Sequence, residues 1–94
     1  MNTIFLLMVQ FGGRAVIPLE EVRREYFPHL EPDNLTRKLT SEEIALPVVR
    51  ADRSKKTARG VHLQDLAEYI DAQRAAAVKE RNQLCGLDEG RAHG

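Results

Sequence analysis

Tryptophan is absent from this chain, cysteine occurs once, and aromatic residues make up only 5% of the sequence. A lone thiol, Cys85, excludes an intrachain disulfide framework and fits a reducing compartment. His29, His62 and His93 share no metal-ligand spacing with Cys85, so no metal is expected. There is no glycine-rich phosphate loop, no nucleophile elbow and no carboxylate pair in a catalytic pattern. The expectation is a protein that is not an enzyme and takes no cofactor. A long apolar run is missing too: Ile4 to Phe11 is apolar apart from Gln10, yet too short to span a bilayer. That run also lacks the basic start and small-residue cleavage site of a secretory signal, which predicts a cytoplasmic protein with no membrane partner.

Net charge is the last absence, with 14 basic residues against 14 acidic. Its distribution is uneven. Residues 1 to 13 carry no charged side chain, and residues 14 to 33 carry three basic and five acidic, a balance of −2. Residues 34 to 60 carry seven and three, +4, and residues 61 to 94 carry four and six, −2. A neutral protein with one polarised face can still turn that face to an anionic surface. Few counterions would be released on non-specific contact, so such binding should be weaker than for a uniformly basic protein.

What is present reads as one domain over residues 1–85 and a flexible tail over 86–94, where Gly86, Gly90 and Gly94 stand among polar residues. Asn2 or Thr3 can cap a helix through Phe11, and Gly12-Gly13 would stop it, although a strand over residues 2–11 stays open. As a helix its apolar residues would cover every side, leaving one face for other elements or a second subunit. Arg14 to Ile17 suits an edge strand added to a hairpin. Pro18 fits the first turn of a helix running to Phe27, with Leu19, Val22, Tyr26 and Phe27 inward and Glu20 and Glu21 complementing the dipole. Pro28 closes it.

Pro32 opens a second helix, in which Leu35 and Leu39 face inward while Asn34, Thr36, Arg37 and Lys38 point elsewhere. Thr40-Ser41-Glu42-Glu43 would extend this helix or start a separate turn with Thr40 and Glu43 as a capping box. Leu46 to Leu63 reads as a β-hairpin with a basic tip: a run ending in Arg50, a tip from Asp52 to Gly60, and a second run from Val61 to Leu63. His62 ends that second strand. Gln64 to about Leu84 is a long helix whose inward stripe, Leu66, Ala67 and Ile70, fails past Asp71, so its second half should project.

Helix, turn, helix, basic hairpin, helix is the outline of a winged helix-turn-helix. The fold class is therefore mainly α with a small β-hairpin, carrying an extra N-terminal helix and a long C-terminal helix. Two short helices joined by about four residues match the unit whose second helix enters the major groove of duplex DNA. Arg37 would offer a donor fork to guanine, Asn34 would pair with an adenine edge, and Thr36 would meet a thymine methyl, with Lys38 on a phosphate. In the hairpin, Arg53, Lys55, Lys56 and Arg59 would straddle the backbone or enter a narrow minor groove, and Ser54 and Thr57 would donate to phosphates. Four cations in seven residues repel one another unless an anionic partner is near. Arg23, Arg24, Arg74 and Lys79 read instead as ordinary solvated cations.

The blocks TIFLLMVQFGGRAVIPLEEVRREYF, LPVVR and ARGVHLQDLAEYIDAQRAAAVKER resemble the pyocin activator proteins, small regulators that switch on phage-tail-like bacteriocin genes. The resemblance runs from Asn2 to about Leu84. A looser one, to excisionase and MerR-type winged helices, covers Pro18 to Ile70. The closer resemblance implies a transcriptional activator that binds a repeated promoter element and recruits RNA polymerase; the residues themselves give it residues 32–42 as recognition helix and 46–63 as wing. Two departures from the pattern stand out: Glu31 in place of a Ser or Thr cap, and Thr40-Ser41-Glu42-Glu43 in place of a glycine-containing turn. Two other readings are an excisionase-like architectural factor that bends DNA, and a protein-interaction adaptor. A homodimer or higher homo-oligomer is expected, because activation requires a surface that meets polymerase or a second activator.

Overall fold

A computed structural model describes residues 2–50 and 59–85. Among the described residues there are four helices and one small antiparallel sheet. They run in the order α1 (Thr3–Gln10), β1 (Val16–Pro18), α2 (Leu19–Tyr26), α3 (Pro32–Thr40), β2 (Val49–Arg50), β3 (Arg59–His62) and α4 (Leu63–Leu84). The expected tail over 86–94 lies outside the described residues.

The first segment is a helix, which settles the choice left open for residues 2–11. The Asn2 side-chain oxygen accepts from the Phe5 amide at 2.9 Å, satisfying a donor that has no partner inside the helix. Its end is set by Gly12 and Gly13, whose φ of 70° and 76° lie in the left-handed region. The Gly13 amide donates back to Met8 O at 2.7 Å.

The sheet has the order β1-β3-β2, so the strand expected near Arg14 to Ile17 does join the hairpin strands, shifted to Val16–Pro18. Ile17 faces Val61, Pro18 faces Gly60, and on the other side Gly60 faces Val49. Gly60 and Arg59 are thus strand residues and not part of the hairpin tip, a correction to the reading of Asp52 to Gly60 as one tip. The cause is crowding: a Cβ on Gly60 would lie 2.7 Å from Val16 Cγ1 and 3.1 Å from Ile17 O, so glycine lets the central strand lie close to β1.

α2 starts directly after Pro18, which serves as its N-cap, and ends at Phe27 because Pro28 disfavours helical backbone before it. α3 opens on Pro32, with Glu31 as an N-cap that makes no side-chain bond. It stops at Thr40. Neither alternative for the following residues holds in full, since the helix is not extended to Glu42 and Thr40 and Glu43 form no capping box. Glu42 takes φ 63°, its amide bonds to Leu39 O at 3.3 Å, and the Ile44 amide bonds to Lys38 O at 3.2 Å. α4 begins one residue earlier than expected, because His62 caps it: Nδ1 accepts from the Gln64 amide at 3.0 Å.

The core gathers one or more residues from nearly every element: Leu7 and Phe11, Ile17, Val22, Leu35, Val61, Leu63 and Leu66. Five of them, Ile17, Leu35, Leu66, Val22 and Val61, are the largest fully buried side chains, each contributing on the order of 2 kcal/mol. No charged side chain is buried among the described residues. α1 rests on the first half of α4, while Phe5, Leu6, Met8 and Val9 stay exposed, Val9 at 70%. The second half of α4 is exposed over Asp71 to Ala77, as the failing stripe predicts, and the long axis of the molecule reaches 56 Å.

Candidate nucleic-acid interface

α3 is held by few anchors. Leu35 is fully buried and Leu39 half-buried, while α2 lies alongside. The turn between α2 and α3 is fastened by Arg23. Its guanidinium takes both oxygens of Glu20 at 2.9 and 2.7 Å and donates to Leu30 O at 2.9 Å. This side chain was expected to be a solvated cation; it is a brace, and the Glu20 carboxyl is held below the usual range by its bond from Arg23. Arg14 does the same work at the other end of α2, clasping Glu21 at 2.9 and 2.7 Å and donating to Phe11 O at 3.0 Å.

Of the expected contact residues on α3, Asn34 is exposed and Arg37 is 61% exposed at its side chain. Lys38 is half-buried, and so is Thr36. One turn apart, Asn34, Arg37 and Lys38 share the outer side of the helix. Thr36 is turned toward the sheet, where its Oγ1 accepts from Arg59 Nη1 at 3.1 Å. That bond joins α3 to β3, across 23 residues of sequence. Between them Thr36, Leu39, Thr40, Leu46, Pro47, Val48, Arg50 and Arg59 line a groove of about 310 Å³. Arg53, Ser54, Lys55, Lys56 and Thr57 lie outside the described residues. The strands that lead into and out of that stretch, β2 and β3, are described and paired.

Two residues that composition and spacing did not single out complete the site. Past the left-handed turn at Glu42, the Glu43 carboxylate folds back over the last turn of α3. One oxygen takes Lys38 Nζ at 3.1 Å; the other takes Ser41 Oγ at 2.9 Å and lies 3.5 Å from Arg37 Nη1. Bonds from Ser41 and Lys38 hold the Glu43 carboxyl below the usual carboxylate range. A signal existed in the sequence, since an acid five and six residues after two cations at a helix end can reach them once the chain reverses. Nothing in the sequence announced the reversal, because Glu42 stands where glycine would have marked it.

The arrangement therefore offers hydrogen-bond donors: an exposed amide and guanidinium on a short helix, an ammonium beside them, and a paired strand base bonded to the same helix. No curated protein and no solved structure matches the chain. Residues 3–77 match the family model described as pyocin activator protein PrtN. That match includes α1, the sheet, α2, α3 and the packed half of α4, and agrees with the resemblance carried by the three sequence blocks. The chain belongs to the pyocin activator protein family.

Proposed function

We propose that this protein is a sequence-specific DNA-binding activator of pyocin genes, built as a winged helix-turn-helix. In this reading α3 enters the major groove and the hairpin over residues 46–63 serves as a wing on the backbone or minor groove. Arg37 and Asn34 read base edges, Lys38 meets phosphate, and Arg53, Ser54, Lys55, Lys56, Thr57 and Arg59 grip the backbone. The observation that carries the reading is the 3.1 Å bond from Arg59 to Thr36, because it ties the base of the hairpin to the helix that bears Asn34, Arg37 and Lys38. Family membership supports the regulatory role. The protein acts as a homodimer or higher homo-oligomer. The exposed side of α1 and the outer half of α4 are the surfaces available for a second copy or for RNA polymerase.

Mobility shifts on promoter fragments and on phage attachment-site fragments test this. Retardation of a promoter fragment in preference to unrelated duplex is expected. Preference for attachment sites would indicate an architectural factor instead, and no retardation at low salt would leave an adaptor. Lys55→Ala with Lys56→Ala should weaken binding to every sequence and flatten the log-log salt slope by about one unit per lost phosphate contact. Arg37→Ala should cost about 1 to 3 kcal/mol at one base position and relax preference there. Undiminished discrimination would remove α3 from the recognition role.

A further inference from the structure

Glu43 stands at an odd place for a protein that approaches phosphates. Its carboxylate lies on the outer edge of α3, half exposed, where it would repel DNA if left alone. It is not left alone, since Lys38 Nζ at 3.1 Å, Ser41 Oγ at 2.9 Å and Arg37 Nη1 at 3.5 Å converge on its two oxygens. An ammonium and a hydroxyl bonded to paired oxygens, with a guanidinium close by, form a donor set that suits a phosphate equally well. The backbone fixes the position of the carboxylate. Glu42 reverses the chain at φ 63°, and Ile44 is buried on the other side with its amide on Lys38 O.

We propose that Lys38 and Ser41 form a seat for a DNA backbone phosphate, and that Glu43 fills it as an internal counter-anion until DNA displaces it and so frees Arg37 for its base edge. The proposal rests on the DNA-binding reading above and adds to it a residue that limits affinity. Each exposed ion pair shifts an equilibrium by only about a factor of one and a half to five, so the carboxylate yields readily to a polyanion. Until it does, two cations are neutralised from within and hold fewer mobile counterions, so their engagement releases fewer. The device restrains adherence to duplexes in general, in keeping with a chain whose total charge is zero.

Fluorescence anisotropy of a labelled duplex of unrelated sequence, titrated at several salt concentrations, tests the proposal. The native chain is compared with Glu43→Gln and Glu42→Gln. Both variants gain the same charge, but the Glu42 carboxylate is not bonded to the cations. E43Q should bind about three- to tenfold more tightly than the native chain and steepen the log-log salt slope by about one unit, while E42Q keeps the native slope. Glu43→Asp, which keeps the charge but withdraws it by one methylene, should fall between the native chain and E43Q. Circular dichroism of each variant checks that the fold is retained. Native-like affinity and slope in E43Q, or the same gain in E42Q as in E43Q, would overturn the role of Glu43 while leaving DNA binding intact. Failure of all the proteins to bind any duplex would overturn the DNA-binding reading itself, and this proposal with it.

Discussion

At Glu42 the backbone takes φ 63°, where a Cβ crowds the neighbouring carbonyl. Glycine relieves that crowding, at the cost of a looser unfolded chain. Glu42→Gly should therefore stabilise the protein by about 0.5 to 1 kcal/mol, read as a higher urea midpoint at unchanged slope. A lower midpoint would mean that the turn holds no strain worth removing. The same residue marks how far single positions were legible. Leu35, Leu39, Leu19 and Val22 announce their burial by spacing, and all four are buried or half-buried. Arg23 and Arg14 announced nothing, and the spacing of Glu43 from Arg37 and Lys38 signalled only once the turn was known, since their partners depend on where a turn puts them and a charged residue on a surface reads the same whether braced or bare. Thr36 is similar. Its place on α3 was legible, but its bond to Arg59 needed the sheet to be seen.

Among the elements, the sheet is the most sensitive to a small change. Gly60 is flanked by β1 and β2, and an added methyl at 2.7 Å from Val16 Cγ1 and 3.1 Å from Ile17 O has to displace a side chain and a strand. Gly60→Ala should destabilise the protein by about 1 to 3 kcal/mol, the usual cost of overpacking. In DNA binding it should also weaken whatever relies on the Arg59 to Thr36 bond, because Arg59 adjoins the displaced residue. A variant as stable as the native chain would show that the three strands have slack. Three of the four helices were legible from capping residues, proline and apolar spacing, while residues 2–11 left helix and strand both open; the pairing of a short edge strand with the hairpin was legible too. Their limits were less so. The end of α3 depended on a left-handed turn without glycine, and the start of α4 on a histidine cap, His62, whose sequence context reads as strand.

Taken as a whole, the molecule should be sensitive to acid. Hydrogen bonds from Arg23 to Glu20, from Arg14 to Glu21, and from Ser41 and Lys38 to Glu43 hold three carboxyls below their ordinary range. A carboxyl with a depressed folded value adds stability above the unfolded value and loses it as pH falls through the folded one. The unfolded chain binds the extra protons, so the urea midpoint should be insensitive to these groups between pH 7 and about 5 and fall below about pH 4.5. Arg14→Gln, which frees Glu21, should make that fall shallower. An identical acid limb in the variant would show that the pair is too well solvated to matter, as many surface pairs are.

One last consequence comes from the unequal settings of the two halves of α4. Near Leu66 its turns are wedged between α1 and the sheet, whereas from Asp71 to Ala77 its side chains meet water. A rod gripped at one end and loose at the other melts from the loose end. Amide deuteration would climb steadily from Leu66 toward Gln83, and a macromolecule that clasps the far tip would reveal itself first as a slowing there, before any change near Arg59.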